Sequence, residues 1–169
     1  MKYLRPTSIS AMTISFLILF AGFAAPSSRA QSLDTSTHKQ VVSANPFGLI
    51  LKFFNAEYER VISESTTAGI GGSTLIGEYV NADVFWRFYP SGSPLNGWAF
   101  GVKAGITRGF GEGTVGFGAG FDVNRSWVLG KNDDFYVGLG FGLKRMVVSC
   151  DPGLEILPTF RIINVGYLF

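Results

Sequence analysis

The sequence predicts an all-β protein, an eight-stranded antiparallel up-and-down transmembrane β-barrel, and three observations carry that prediction. Apolar side chains recur at every second position over long stretches, turn residues separate the stretches, and the phase between the apolar residues is rich in glycine. Period two means extended strands with two unlike faces. The helical i, i+3, i+4 spacing is not sustained anywhere after residue 41.

At the start of the chain, Lys2 and Arg5 precede the apolar run Ile9 to Ala25, which Pro26, Ser27, Ser28, Arg29 and Ala30 follow. This is the layout of a secretory signal peptide, with small residues at Ser28 and Ala30 where a signal peptidase reads, so cleavage is expected after Ala30. The apolar core Ile14 to Ala25 is shorter than the roughly 20 residues a transmembrane helix needs. Residues 1–30 are thus read as the signal, residues 31–40 (QSLDTSTHKQ) as a flexible polar leader and residues 41–169 as the barrel.

The strands follow in order. Val41 to Leu51 and Phe54 to Ile62 read as two strands joined by a tight turn near Lys52, with Pro46 marking a bulge or an edge-like start. Thr66 to Leu75 is the third. In the fourth, Val80, Ala82, Val84, Trp86 and Phe88 alternate with Asn81, Asp83, Phe85, Arg87 and Tyr89. In the fifth, Trp98, Phe100, Val102, Ala104 and Ile106 alternate with Ala99, Gly101, Lys103, Gly105 and Thr107. The sixth sets Val115, Phe117, Ala119, Phe121 and Val123 against Gly116, Gly118, Gly120, Asp122 and Asn124. The seventh sets Phe135, Val137, Leu139, Phe141 and Leu143 against Tyr136, Gly138, Gly140, Gly142 and Lys144, and Thr159 to Phe169 is the eighth. Turn signals at 90–97, 109–113, 130–134 and 151–153 separate the later strands. Their lengths suit the roughly 9 to 11 residues a tilted strand needs to cross a bilayer.

A soluble sheet would carry Lys, Glu and Gln on its outer phase. Here the second phase is glycine-rich, which suits a crowded barrel interior, so the apolar phase is expected to face lipid. With the N-terminus on the periplasmic side, Phe88, Trp98, Trp127, Phe135, Tyr167 and Phe169 fall near one rim as an aromatic girdle. Arg125 then shares the outward phase and snorkels to headgroups, and Arg161 is expected at the opposite rim. Glu57, Glu59, Asp83 and Asp122 are expected to interleave with Arg87, Lys103 and Lys144 in the lumen, because buried charges require partners.

Charged residues make up 15% of the chain, below the ~25% usual for soluble domains, while 47% are hydrophobic; that excludes a disordered chain. Removing the signal takes away three of the 14 basic residues and none of the 12 acidic ones, so the net charge moves from +2 to −1. No basic surface remains for nucleic acid. Cys150 is the one cysteine, so it is either a free thiol or a bridge between chains.

With these features the chain resembles the small eight-stranded bacterial outer-membrane barrels, of the kind seen in OmpX and the transmembrane domain of OmpA, over residues 41–169. Asn45-Pro46 followed by Asn55-Ala56-Glu57-Tyr58-Glu59-Arg60 looks like a family of small Gram-negative barrels of unknown function, a match that carries no activity. The ending Asn164-Val165-Gly166-Tyr167-Leu168-Phe169 is similar to the signal read by the outer-membrane assembly machinery, with Asn164 where glycine is usual. The resemblance implies residence in the outer membrane, with its lipid and that machinery as partners.

Other motifs carry less. Gly111-x-Gly113-x-x-Gly116 opens a strand rather than a helix, so it is no dinucleotide fingerprint. Asn124-Arg125-Ser126 is a glycosylation triplet in form only, and Asn132, Asp133 and Asp134 read as turn chemistry rather than a calcium site. His38, the one histidine, lies in the leader before the first strand and would emerge on the periplasmic side, away from lipid exposed to the cell exterior. The expectation is a non-enzymatic structural or surface-interaction protein without cofactor, catalytic residue or metal site. The alternatives are a lipid-modifying outer-membrane enzyme, which needs a nucleophile and base at one rim, and a secreted soluble barrel binding an apolar ligand, which needs the apolar phase inside.

Overall fold

The computed structural model describes residues 38–109, 115–148 and 156–169. The signal segment, the leader up to Thr37, the Gly111 and Gly113 positions, Cys150 and the turn at 151–153 lie outside the described residues. Eight strands run β1 (Gln40–Ala44), β2 (Phe53–Ser63), β3 (Thr66–Leu75), β4 (Tyr79–Phe88), β5 (Gly97–Gly109), β6 (Val115–Leu129), β7 (Phe135–Val148) and β8 (Ile156–Leu168). Each pairs antiparallel with the next, and β1 pairs with β8, so the sheet closes into a barrel. That closure pairs residues 165–168 of the edge that an open sheet would present.

The first predicted strand needs correction. Val41 to Leu51 is not one strand: β1 ends at Ala44, and Phe47–Leu51 forms a 3-10 helix that leads into β2. The apolar run FGLIL reads as a strand by composition. Locally, however, the Asn45 side-chain oxygen accepts the Gly48 amide at 2.7 Å and coils the chain back. Pro46, with its fixed φ, begins the coil. The turn expected near Lys52 is there, with Lys52 at φ 58°.

Elsewhere the boundaries differ by a few residues. β6 runs on to Leu129 and β7 to Val148, past Asn124 and Lys144, and β8 begins at Ile156 rather than Thr159. The rim where odd strands start and even strands end is called the near rim, and the other the far rim.

Inside and outside follow the alternation. Trp98, Phe100, Val102 and Ile106 of β5 are exposed, while Ala99, Gly101 and Thr107 are buried. In β8 the alternation slips. Gly138 pairs with Asn164 but Gly140 pairs with Arg161, so β8 carries an extra residue opposite Leu139. Ile163, at φ 48°, sits in that bulge. A β-branched residue at positive φ is costly and is held there by its surroundings. The bulge inverts the phase: Arg161 points inward and is 4% exposed, which corrects its expected place on the outer face at the far rim.

The interior has little spare width. A Cβ on Gly120 would lie 2.7 Å from Lys144 Cα and 2.8 Å from the Leu143 carbonyl carbon, both backbone atoms of the adjacent strand. Gly120→Val is therefore expected to lower stability by at least the ~1 to 3 kcal/mol typical of overpacking. The check is a urea unfolding midpoint for barrel refolded in detergent; an unchanged midpoint would show that the interior can yield at this point.

Candidate functional site: the charged lumen

The lumen is built from the inward phase. Arg87 of β4 is 1% exposed and reaches across the barrel to two other strands. Its Nη1 donates to Glu59 Oε2 at 2.6 Å and Glu57 Oε2 at 3.0 Å, both on β2. Its Nη2 donates to Asp122 Oδ2 of β6 at 3.3 Å. The guanidinium also lies 3.9 Å from the centre of the Phe85 ring. Glycine makes this crossing possible, because a Cβ on Gly101 would meet the Asp122 carboxylate and come within 2.9 Å of Arg87 Cγ.

The carboxylates are satisfied in turn. Glu59 Oε1 accepts from Thr67 at 2.6 Å and from Tyr89 at 2.8 Å. Tyr89 lies just past β4, and burial, with the Glu59 charge adding to it, pushes its hydroxyl well above the usual range, so it keeps the proton it donates. Asn124 Nδ2 donates to Asp122 Oδ1 at 2.8 Å.

A second cluster sits nearer the far rim. Lys144 of β7 is fully buried, and its Nζ donates to Asp83 Oδ1 at 2.6 Å, Asn81 Oδ1 at 2.7 Å and Thr107 Oγ1 at 3.2 Å. Asn81 Nδ2 ties the other Asp83 oxygen at 2.6 Å.

Of the seven charged residues singled out in the sequence, six lie in these ion pairs: Glu57, Glu59, Asp83, Arg87, Asp122 and Lys144. Lys103 lines the same lumen, but its Nζ donates to Thr159 Oγ1 and it belongs to none of the ion pairs among the described residues. Arg161 is the member that sequence reasoning missed. Its Nη2 stands 3.3 Å from both Glu57 Oε2 and Ser43 Oγ, and its guanidinium lies 5.2 Å from the Tyr136 ring centre. The one sequence signal for its inward turn is the arginine itself, a charged residue halfway along a strand whose outer face is otherwise apolar.

Four basic and four acidic groups thus share the described lumen. They leave a polar cavity of about 50 Å³, room for a few water molecules. At the near rim the lumen is stoppered by apolar side chains: Val41, Tyr136 and Leu168 pack with Leu95 from the β4–β5 loop. In the sequence Leu95 is marked only as part of a turn.

The six girdle residues gather at the near rim on the outer face. Phe88, Trp98, Phe135, Tyr167 and Phe169 are exposed, and Trp127 is half-buried. Arg125 sits between Trp98 and Trp127, its guanidinium 5.8 and 5.4 Å from their ring centres. His38, also at this rim, donates through Nε2 to the Asn132 carbonyl at 3.2 Å, and Asp133 takes φ 54° in the same turn.

Chemically, this arrangement holds charge in place. Each of the four carboxylates of the described lumen is ion-paired.

Removing one partner of a buried pair strands the other. Lys144→Met is expected to cost about 3 to 5 kcal/mol, and adding Asp83→Leu should recover most of that loss. A double-mutant cycle on urea midpoints checks this. Two losses that simply add would show that the pair is not coupled.

Comparison with known proteins returned no matching family, no matching curated protein and no matching solved structure.

Proposed function

We propose that the chain is an outer-membrane β-barrel of a Gram-negative bacterium, exported by a signal peptide cut near Ala30, with a structural or surface-interaction role and no enzymatic activity. One observation carries this reading: the barrel is inverted relative to a soluble one. Aliphatic and aromatic side chains such as Ile70, Val84, Phe100, Val102, Phe121 and Phe141 cover the outside, while the charges are inside. A soluble monomer rarely exposes a contiguous apolar patch above a few hundred Å². In lipid the same surface is at home, and the aromatic near rim fits the headgroup interface. The orientation also supports this reading over a secreted barrel that binds an apolar ligand inside.

The filled lumen supports a structural role over general conduction, since eight strands leave an interior only wide enough for side chains. The lipid-modifying alternative needs a nucleophile and a base at one rim; His38 sits at the near rim against the Asn132 carbonyl, on the side this reading gives to the periplasm. Partners follow from location: membrane lipid around the wall, and the assembly machinery, which would engage β8, the strand that closes the ring.

Fractionation tests the reading. The protein should sediment with outer membranes, resist alkaline wash, require detergent for release and shift on gels when boiled. Recovery as a soluble periplasmic monomer would overturn it. In planar bilayers the pure protein should give little steady conductance; large, stable, ohmic channels would contradict the stoppered lumen.

The outward aromatics of β8 supply a further check. Tyr167→Ala combined with Phe169→Ala is expected to slow insertion and leave protein in the periplasm for degradation. Wild-type assembly kinetics in cells would remove these side chains from the recognition step.

A further inference from the structure

The ring is closed unevenly. β1 meets β8 along four register pairs only, from Val41 with Leu168 to Ala44 with Val165, although β8 continues back to Ile156. Residues 156–164 of β8 have no ladder partner on that side among the described residues. Above Ala44 the chain leaves as the 3-10 helix, which packs on β2. Over this height β2 and β8 border a seam, bridged by Asn55 Nδ2 donating to the Phe160 carbonyl at 3.0 Å.

The break is built into β8. Pro158, a residue strands tolerate chiefly where no neighbour takes its N–H, lies in the stretch without a partner on the β1 side, while its other side is in register with Leu143 of β7. The Ile163 bulge sits just where pairing with β1 stops, and it is what turns Arg161 inward.

Behind the seam lies the polar cavity, lined there by Asn55, Glu57, Lys103, Thr159, Phe160 and Arg161. Buried polar atoms in this lining have no hydrogen-bond partner among the described residues: Arg161 Nε and Nη1, and Asn55 Oδ1. Arg161 and Asn55 are each 4% exposed, so water outside the barrel does not serve them. Glu57 is committed to Arg87 and Arg161, which leaves Lys103 as the lumen cation outside every ion pair among the described residues. Outside, Phe160 stacks obliquely on Phe141 with ring centres 5.5 Å apart, both partly exposed.

We propose that this seam is a lateral port for an anionic amphiphile, whose carboxylate or phosphate head enters between β2 and β8 to meet Lys103 and Arg161. The single chain of the amphiphile lies outside, along Phe160 and Phe141. Unused donors and a cation outside the ion pairs face inward, and an apolar surface begins immediately outside. The Asn55 bridge is a side-chain contact, not a ladder, so admitting a head group breaks one hydrogen bond rather than a strand pairing. The proposal rests on the outer face being lipid-facing.

The test uses the full chain reconstituted in phosphatidylcholine vesicles and a fluorescent fatty acid as probe. Binding should saturate at one site per barrel, and palmitate and palmitoyl lysophosphatidate should displace the probe. Hexadecyltrimethylammonium, acetate and inorganic phosphate should not displace it at equal concentration. Lys103→Met is expected to weaken binding at least tenfold, with Lys103→Arg retaining it. Phe160→Ser, on the outer face and away from the ion pairs, should weaken it several-fold while the heat-modifiable gel shift persists, so the proposal stays testable if Lys103→Met does not fold.

Probe uptake no greater than by empty vesicles would overturn the port. So would equal displacement by the cationic amphiphile, displacement by free phosphate or acetate, or a folded Lys103→Met and a Phe160→Ser that both bind as wild type. A chain that floats with vesicles yet fails these criteria loses the port alone, whereas one that does not associate with vesicles loses the membrane reading as well.

Discussion

A guanidinium taken out of water needs carboxylates on more than one side, and Arg87 finds them on β2 and β6. Those strands lie next but one to β4 on either side, and the curl of the sheet turns their inward side chains toward it. Desolvating a buried ion costs several kcal/mol, so such a network does little for net stability and acts chiefly against alternatives. A register slip of one residue on β4 would send Arg87 into the outer apolar face and leave Glu59 buried without it. The glycines of the inner phase are the other half of the same constraint. Gly101 leaves room for Arg87 and Asp122, and Gly142 stands where a Cβ would lie 2.9 Å from Lys103 Nζ. With charge and glycine inside, the large apolar residues have only the outside left to occupy.

The fold was legible because that division is written with period two. From β4 to β7 the apolar phase is unbroken for about ten residues at a time, with glycine opposite it from β5 to β7, and a helix, whose period is 3.6, does not keep such a pattern. The start of the chain was not legible for a physical reason. In FGLIL, composition favours a strand, and one hydrogen bond from Asn45 to Gly48 decides otherwise. The β8 bulge was hidden more deeply. Ile162 and Ile163 are both good strand residues, so nothing in their chemistry marks the extra position, and unbroken alternation puts Arg161 on the outer face as a direct consequence. Leu95 was concealed because its role as a stopper depends on how a loop folds back, which strand periodicity does not encode.

The two ends of the lumen differ. The near rim is closed by apolar packing around Leu95 and encircled by aromatics, with Arg125 lodged between two tryptophans. Further along the lumen the wall is thinnest, because β1 stops after five residues. In hydrocarbon an unpaired backbone group costs several kcal/mol, so under the proposed membrane reading this seam is a place where polar groups, from the protein or from a ligand, gather. The bulge, Pro158 and the inward Arg161 are concentrated in β8 alongside this seam.

The proposed role depends on the apolar phase facing lipid. The chain reports on it directly, because all three of its tryptophans, Trp86, Trp98 and Trp127, lie in the outward phase. Tryptophan fluorescence should be measured in vesicles whose acyl chains carry bromine at chosen depths, with aqueous iodide as the opposing quencher. Strong quenching by the brominated chains, deeper for Trp86 than for Trp98 or Trp127 in single-tryptophan variants, with little effect of iodide, is the predicted result. Quenching by iodide as in open water, with no response to the brominated chains, would contradict it.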